Sequence, residues 1–145
     1  MLFRSILGGT TPIRCAPSQI NQVLLNLITN AAQATTAESG QITVVTRMRG
    51  HQHIAVEVID NGTGIPQDVI PRIFDPFFTT KAVGKGTGLG LAIVYKIVEQ
   101  HGGRIMVHSK ERSGTKFTVV LPVAGGEPGD GTAEAPPSER FAIAA

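Results

Sequence analysis

Tryptophan is absent from these 145 residues, tyrosine occurs once, and Cys15 is the single cysteine. One cysteine excludes an internal disulfide framework and a cysteine-based metal site, so a reducing, cytoplasmic setting is expected. No apolar run approaches the length of a membrane span. Met1 to Leu7 is apolar with one arginine, too short for a signal h-region followed by a cleavage site. The chain is therefore expected neither to be secreted nor to cross a membrane. No Lys/Arg cluster with interleaved aromatics occurs, which argues against a nucleic-acid partner.

Charge is balanced overall, with a net +2, but not along the chain. From Val123 onward stand Glu127, Asp130, Glu134 and Glu139 against Arg140 alone, leaving 12 bases and 7 acids before it. That basic excess suits an anionic ligand without identifying one. The length fits one domain with a sizeable core. Residues 1–12 show no clear period and stay unassigned, residues 13–122 form the expected domain, and the Gly-, Pro-, Ala- and Glu-rich residues 123–145 read as a disordered tail.

Ile13-Arg14-Cys15 reads as a short edge strand, and Pro17 as the first position of a helix, where its missing N–H is harmless. Ile20, Val23, Leu24, Leu27, Ile28 and Ala31 then fall at helical spacing and define one packed face. Gln22, Asn26 and Asn30 stack four apart on another stripe, with Gln33 beyond. Asparagine competes for backbone hydrogen bonds and is a poor interior helix residue. Two of them on one stripe are either a solvated face or neutral oxygen donors for a ligand or a hard cation such as Mg²⁺.

Gln41 to Arg49 and His53 to Asp60 read as an antiparallel hairpin turning at Gly50-His51-Gln52, with His51 and His53 solvent-exposed at its tip rather than metal-bound. The second strand runs into Asp60-Asn61-Gly62-Thr63-Gly64-Ile65-Pro66. Gly62 and Gly64 allow positive φ and close backbone approach to a flat ligand, and Asp60 can accept hydrogen bonds from an exocyclic amine. Pro66 to Arg72 makes at most a short helix. The segment Phe74 to Lys81 holds three phenylalanines whose default role is core packing. Gly84-Lys85-Gly86-Thr87-Gly88-Leu89-Gly90-Leu91 then feeds a helix from Leu91 to His101, and a glycine-rich loop at a helix N-terminus can hold phosphate. Its spacing is neither that of a P-loop nor of a dinucleotide fingerprint. His101 and Gly102-Gly103 close that helix, with His101 structural. Arg104 to His108 and Lys116 to Leu121 form a second hairpin.

In this order the blocks resemble the ATP-binding catalytic domain of sensor histidine kinases, within the GHKL superfamily. Asn26-Leu27-Ile28-Thr29-Asn30-Ala31 is similar to the N box, Asp60 to Gly64 to the G1 box, Phe74 to Lys81 to the F box, Gly86 to Leu91 to the G2 box, and Gly114-Thr115-Lys116-Phe117 to the final glycine-threonine element. Phe77-Phe78-Thr79-Thr80-Lys81 resembles the nitrogen-regulator type. The resemblance covers roughly Ile13 to Pro122.

It implies an α+β fold, a two-layer α/β sandwich of the Bergerat type: a mixed, mostly antiparallel sheet with about three helices on one face. ATP and Mg²⁺ are the implied cofactors. Asp60 would accept from the adenine amino group, with Gly62 and Gly64 beside the base and Ile65, Leu89 and Phe117 as apolar walls. Asn30 would ligate Mg²⁺, with Asn26 near the phosphates; these two and Lys81 form the implied catalytic set. Gly84 to Gly90 would be a mobile lid, with Lys81 or Lys85 offsetting phosphate charge. Gln33, Gly86, Thr87, Gly88, Leu89, Gly90, Leu91 and Thr115 complete the implied nucleotide contacts.

The implied reaction carries the γ-phosphoryl of ATP to a histidine on a separate dimerisation domain, with a response regulator downstream. Where the related ATPases carry a glutamate as general base, Asn26 stands here, so slow hydrolysis is expected. None of His51, His53, His101 or His108 lies in a helix-borne acceptor motif. The chain thus resembles an excised catalytic module, monomeric by itself. The alternatives are a nucleotide-binding module without catalysis and a GHKL-type ATPase.

Overall fold

The apolar stripe at helical spacing becomes α1 (Pro17–Ala34), with Val23, Leu27 and Ala31 as its buried line. The computed structural model describes residues 1–9, 11–123 and 143–144. No side chain caps α1, and Pro17 stands in its first turn. The Ala16 carbonyl accepts from Gln19 and Ile20, while the Ala16 N–H donates to His101 Nε2 at 3.1 Å. His101 Nδ1 lies 2.7 Å from the Ile97 carbonyl, so the ring is a structural tie between the two helices, as expected.

A helix on one face needs a sheet to bury against. The strands are β1 (Leu2–Leu7), β2 (Gln41–Arg49), β3 (His53–Asp60), β4 (Arg104–Lys110), β5 (Gly114–Pro122) and the two-residue β6 (Ile143–Ala144). Their order is β1-β2-β3-β5-β4-β6, with β1–β2 and β4–β6 parallel and the other pairs antiparallel. The second helix, α2 (Gly90–Gln100), packs beside α1, burying Val94, Ile97 and Val98. Between them Ile70–Arg72 makes a single 3-10 turn, which stands where the third helix was expected. The α+β sandwich with a mixed, mostly antiparallel sheet holds.

Two sequence expectations are corrected by the strand positions. Ile13-Arg14-Cys15 forms no strand; the edge strand is Leu2–Leu7, parallel to β2 and drawn from the unassigned segment. Residues 13–15 sit between Pro12 and Pro17, and Ile13 instead packs against the core as extended connection. Most of the tail, residues 124–142 and 145, lies outside the described residues, while Ile143–Ala144 pair with Val107–His108 rather than standing apart.

Strand alternation sorts the sheet into two faces. Ile42, Val44, Val58, Ile105, Val107, Phe117, Val119 and Leu121 meet the helices in one core cluster. The register continues that face into one more cross-strand row, Ser109–Thr115–Asp60, pairing Ser109 with Thr115 and Thr115 with Asp60. These three are polar and buried. A polar row at the end of an apolar face, under the gap between α1 and the 3-10 turn, is where a site can form.

Candidate functional site

That row opens into a cavity of about 820 Å³ bounded by α1, the turn after β3, the Phe74–Lys81 segment and the glycine loop before α2. Asp60 and Thr115 stand on its floor beside the apolar Ile65 and Phe117. The Asp60 Oδ1 accepts from the Gly62 N–H at 2.8 Å. Burial pushes the Asp60 carboxyl above its ordinary value near 3.8, and the Gly62 and Thr115 backbone N–H groups pull it partly back.

The other end of the cavity carries amides and cations. Asn26, Asn30 and Gln33 line it from α1, Lys81 from the loop, and Lys85, Gly86, Thr87, Gly88, Gly90 and Leu91 from the glycine segment and the start of α2. Gln22 Nε2 donates to Asn26 Oδ1 at 2.9 Å, and Asn26 Nδ2 donates to the Gly90 carbonyl at 3.1 Å. Asn26 is thereby a clamp between α1 and the first residue of α2. Lys81 Nζ donates to Gln33 Oε1, tying the loop to α1 across the cavity mouth. The glycine segment is pinned at Gly88, whose carbonyl accepts from the Phe77 N–H at 2.8 Å. Phe77 has φ 66° and is 75% exposed, so of the three phenylalanines expected in the core it stands outside. Phe74 does pack inward, its ring 5.9 Å from Tyr95 and 6.5 Å from Phe117.

Of the residues expected from sequence, the cavity gathers all but Gly62 and Leu89. The Gly62 amide is spent on Asp60, and a Cβ there would strike the Ala34 carbonyl rather than a ligand. Gly64, at φ +69°, lines the cavity, yet its missing Cβ makes room for the Lys110 carbonyl. Close backbone approach is indeed what these glycines allow, but the partner is the protein itself. Leu89 stands at the N-cap of α2, and its N–H donates to Thr87 Oγ1 at 3.3 Å. Sequence reading missed Ser109 and Gln67. Ser109 Oγ accepts from the Ile65 N–H at 2.8 Å, and Gln67 Nε2 donates to the Ser109 carbonyl at 2.9 Å. A serine and a glutamine more than forty positions apart give no local signal.

The donor set suits a hard cation only in part. Among the described residues no cluster of three His, Cys, Asp or Glu side chains could hold a metal. Asn30 lines the cavity with an amide whose oxygen is a possible ligand, and Mg²⁺ takes few protein ligands when phosphate oxygens and water supply the rest. The residues present therefore fit a cation brought in with a polyphosphate.

A family model described as histidine kinase-, DNA gyrase B-, and HSP90-like ATPase matches residues 15–125. The chain belongs to that family. Within it, this domain is 50% identical over 122 residues to the sensor histidine kinase ZraS of Escherichia coli K12, covering 83% of this chain and 25% of that protein. It is 42% identical over 118 residues to sporulation kinase E of Bacillus subtilis, covering 81% and 16%. The domain thus spans about a quarter or less of the length of these curated relatives. Among solved structures, the catalytic domain of histidine kinase ThkA superposes with a TM-score of 0.74 at 35% identity, covering 84% of this chain and 80% of that one. Full-length ShkA in complex with AMPPNP superposes with a TM-score of 0.75 at 28% identity, over 84% of this chain and 25% of that one. A nucleotide-binding fold of the histidine-kinase catalytic type follows. No helix among the described residues is long and apolar enough to cross a membrane.

Proposed function

We propose that this domain binds ATP with Mg²⁺ and transfers the γ-phosphoryl group to a histidine on a separate dimerisation domain, upstream of a response regulator in two-component signalling. One observation carries the reading: a single cavity joins a buried acceptor, Asp60, at one end to Asn30, Lys81 and a glycine loop at the other. That polarity matches a ligand with an amino-bearing base and a polyphosphate. Asp60 accepts from the amino group, Ile65 and Phe117 flank the ring, and Asn30 holds the cation. Mg²⁺ held there neutralises charge on the phosphates. Lys81 and Lys85 add positive charge, and Gln33 fixes Lys81 at the mouth.

Asn26 supports transfer over hydrolysis. Its amide is committed to Gln22 and Gly90 and cannot take a proton from water near neutral pH. The four histidines offer no acceptor on a helix: His51 and His53 are exposed at a hairpin tip, His101 is held between the helices, and His108 lies in β4. The acceptor is accordingly supplied from outside the described residues.

Calorimetric titration of the chain with ATP, with and without Mg²⁺, tests the site. Binding should need Mg²⁺ for full affinity, weaken about 10- to 100-fold in Asp60→Asn through loss of a charge-assisted hydrogen bond, and lose its Mg²⁺ dependence in Asn30→Ala. Absence of binding at millimolar nucleotide would refute the site. Transfer is tested separately by adding a cognate histidine-bearing domain. A nucleotide-loaded chain that labels no histidine is a binding module, and turnover on water that vanishes in Asn26→Ala marks an ATPase.

A further inference from the structure

Ser109 stands one layer behind the cavity, 7% exposed, and joins three groups. Its Oγ accepts from the Ile65 N–H at 2.8 Å, lies 2.8 Å from Thr115 Oγ1, and lies 3.1 Å from the Gly114 carbonyl. A hydroxyl has one proton and two lone pairs. Ile65 fills one lone pair, so the remaining choice is where the single Ser109 proton goes. If it goes to Gly114, Thr115 spends its own proton on Ser109 and shows the cavity only lone pairs. If it goes to Thr115, the closer acceptor, Thr115 keeps a proton to donate into the cavity.

The neighbour of Thr115 along the row decides which arrangement a ligand favours. Asp60, directly opposite, accepts hydrogen bonds but cannot donate them when ionised. A purine whose 6-amino group rests on Asp60 presents, on the adjacent ring atom, a nitrogen acceptor. A 6-oxo purine presents an N–H there instead. Thr115 as donor matches the first and opposes the second.

Building on the proposed nucleotide site, we infer that Ser109 is a positioning residue that sets purine specificity: the chain Ile65 N–H, Ser109 O–H, Thr115 O–H points one donor at the ring nitrogen beside the amino group. Starting from the Ile65 N–H, each of the two hydroxyls accepts one hydrogen bond and gives one, and such chains polarise their last member. The geometry of Ser109 is fixed independently, because Gln67 Nε2 holds its carbonyl at 2.9 Å and Gly64 seats against the neighbouring Lys110 carbonyl. Ser109 touches no ligand and acts through Thr115.

The test measures dissociation constants of the full chain for ATP, ITP and 1-deaza-ATP, in which a C–H replaces the ring nitrogen. The wild-type chain should prefer ATP to both by about tenfold or more, since a site built around a hydrogen bond rejects ligands that leave it unpaired. In Ser109→Ala, where Thr115 rotates freely, the preference for ATP over 1-deaza-ATP should fall about fivefold or more, and the preference over ITP by less, because Asp60 still opposes a 6-oxo group. Ser109→Cys keeps the volume with a weak donor and should lie between, so a poorly folding alanine variant leaves the comparison intact. Equal weakening of all three ligands, with ratios unchanged, would make Ser109 a structural strut and overturn the inference. A wild-type chain that binds ATP and 1-deaza-ATP equally also overturns it while sparing the nucleotide site. A chain that binds none of the three removes both.

Discussion

Asp60 is held in the folded domain against its own solvation. Its carboxyl is raised above 3.8 by burial, and two backbone N–H groups offset only part of that cost. Below the unfolded value both states are protonated and the residue is neutral to stability. Between that value and the raised folded one, only the folded state keeps the proton, so stability falls as pH rises through the window; above it the full cost persists. Asp60→Asn removes the cost. Its denaturation midpoint without ligand should match the wild-type chain near pH 3, exceed it increasingly as pH rises through the window and keep that excess above it, while a given nucleotide concentration protects it less. A variant less stable than wild type at pH 7 would show that the carboxylate is a structural anchor. The same ionisation makes wild-type affinity for ATP decline on acidification at a higher pH than an ordinary aspartate would.

The placement of Asp60 on the cavity floor was legible because an acceptor at the end of an apolar strand precedes two glycines. Ser109 was not, because a serine alternating into a strand looks like any polar residue until the register sets it beside Thr115. Gly62 and Leu89 were misplaced for a related reason: a motif names a segment, but whether a residue faces the ligand or the protein depends on which groups its neighbours have already taken.

Elements read well where a period repeats. β2 and β3 begin and end where alternation begins and ends, α1 starts at the expected Pro17, and α2 is shifted by one residue from its expected limits. β1 was illegible because all six residues are exposed and no face alternates. The turns divide into two kinds that differ in consequence. Gly114, at φ +102°, has a missing Cβ that would collide with the Asp60 carbonyl, so it is locked between β3 and β5. Gly84, at φ +82°, has open space around it. Gly114→Ala should lower unfolding free energy by about 2 kcal/mol or more, from the disfavoured conformation plus overpacking. Gly84→Ala should leave the urea midpoint nearly unchanged, about 1 kcal/mol at most if the strain is even felt globally, because the loop is not in the core. Equal losses in the two variants would mean that the glycine segment before α2 is part of the cooperative fold rather than a separately moving flap.

At the scale of the whole molecule, the site and the free edge lie apart. The cavity is built on β3 and β5, while β1 ends the sheet beyond β2. Leu2 is 49% exposed, Phe3 54%, Ile6 51% and Leu7 70%, so apolar side chains project from both faces of an edge strand with Arg4 as its one charge. Edge strands that lack inward charges, prolines or bulges pair readily with other chains. The domain should therefore stay monomeric at low concentration and scatter increasingly as concentration rises. Ile6→Lys places a charge on that edge and should suppress the association. Its effect on unfolding free energy should stay within about 0.5 kcal/mol, as for exposed positions generally, and ATP affinity should not change because no cavity residue belongs to β1. Light scattering across a concentration series, run beside nucleotide titration, separates the two properties. Association that persists unchanged in Ile6→Lys would place the sticky surface elsewhere, with the exposed Leu25, Phe77 and Val83 on the cavity side as the next region to charge.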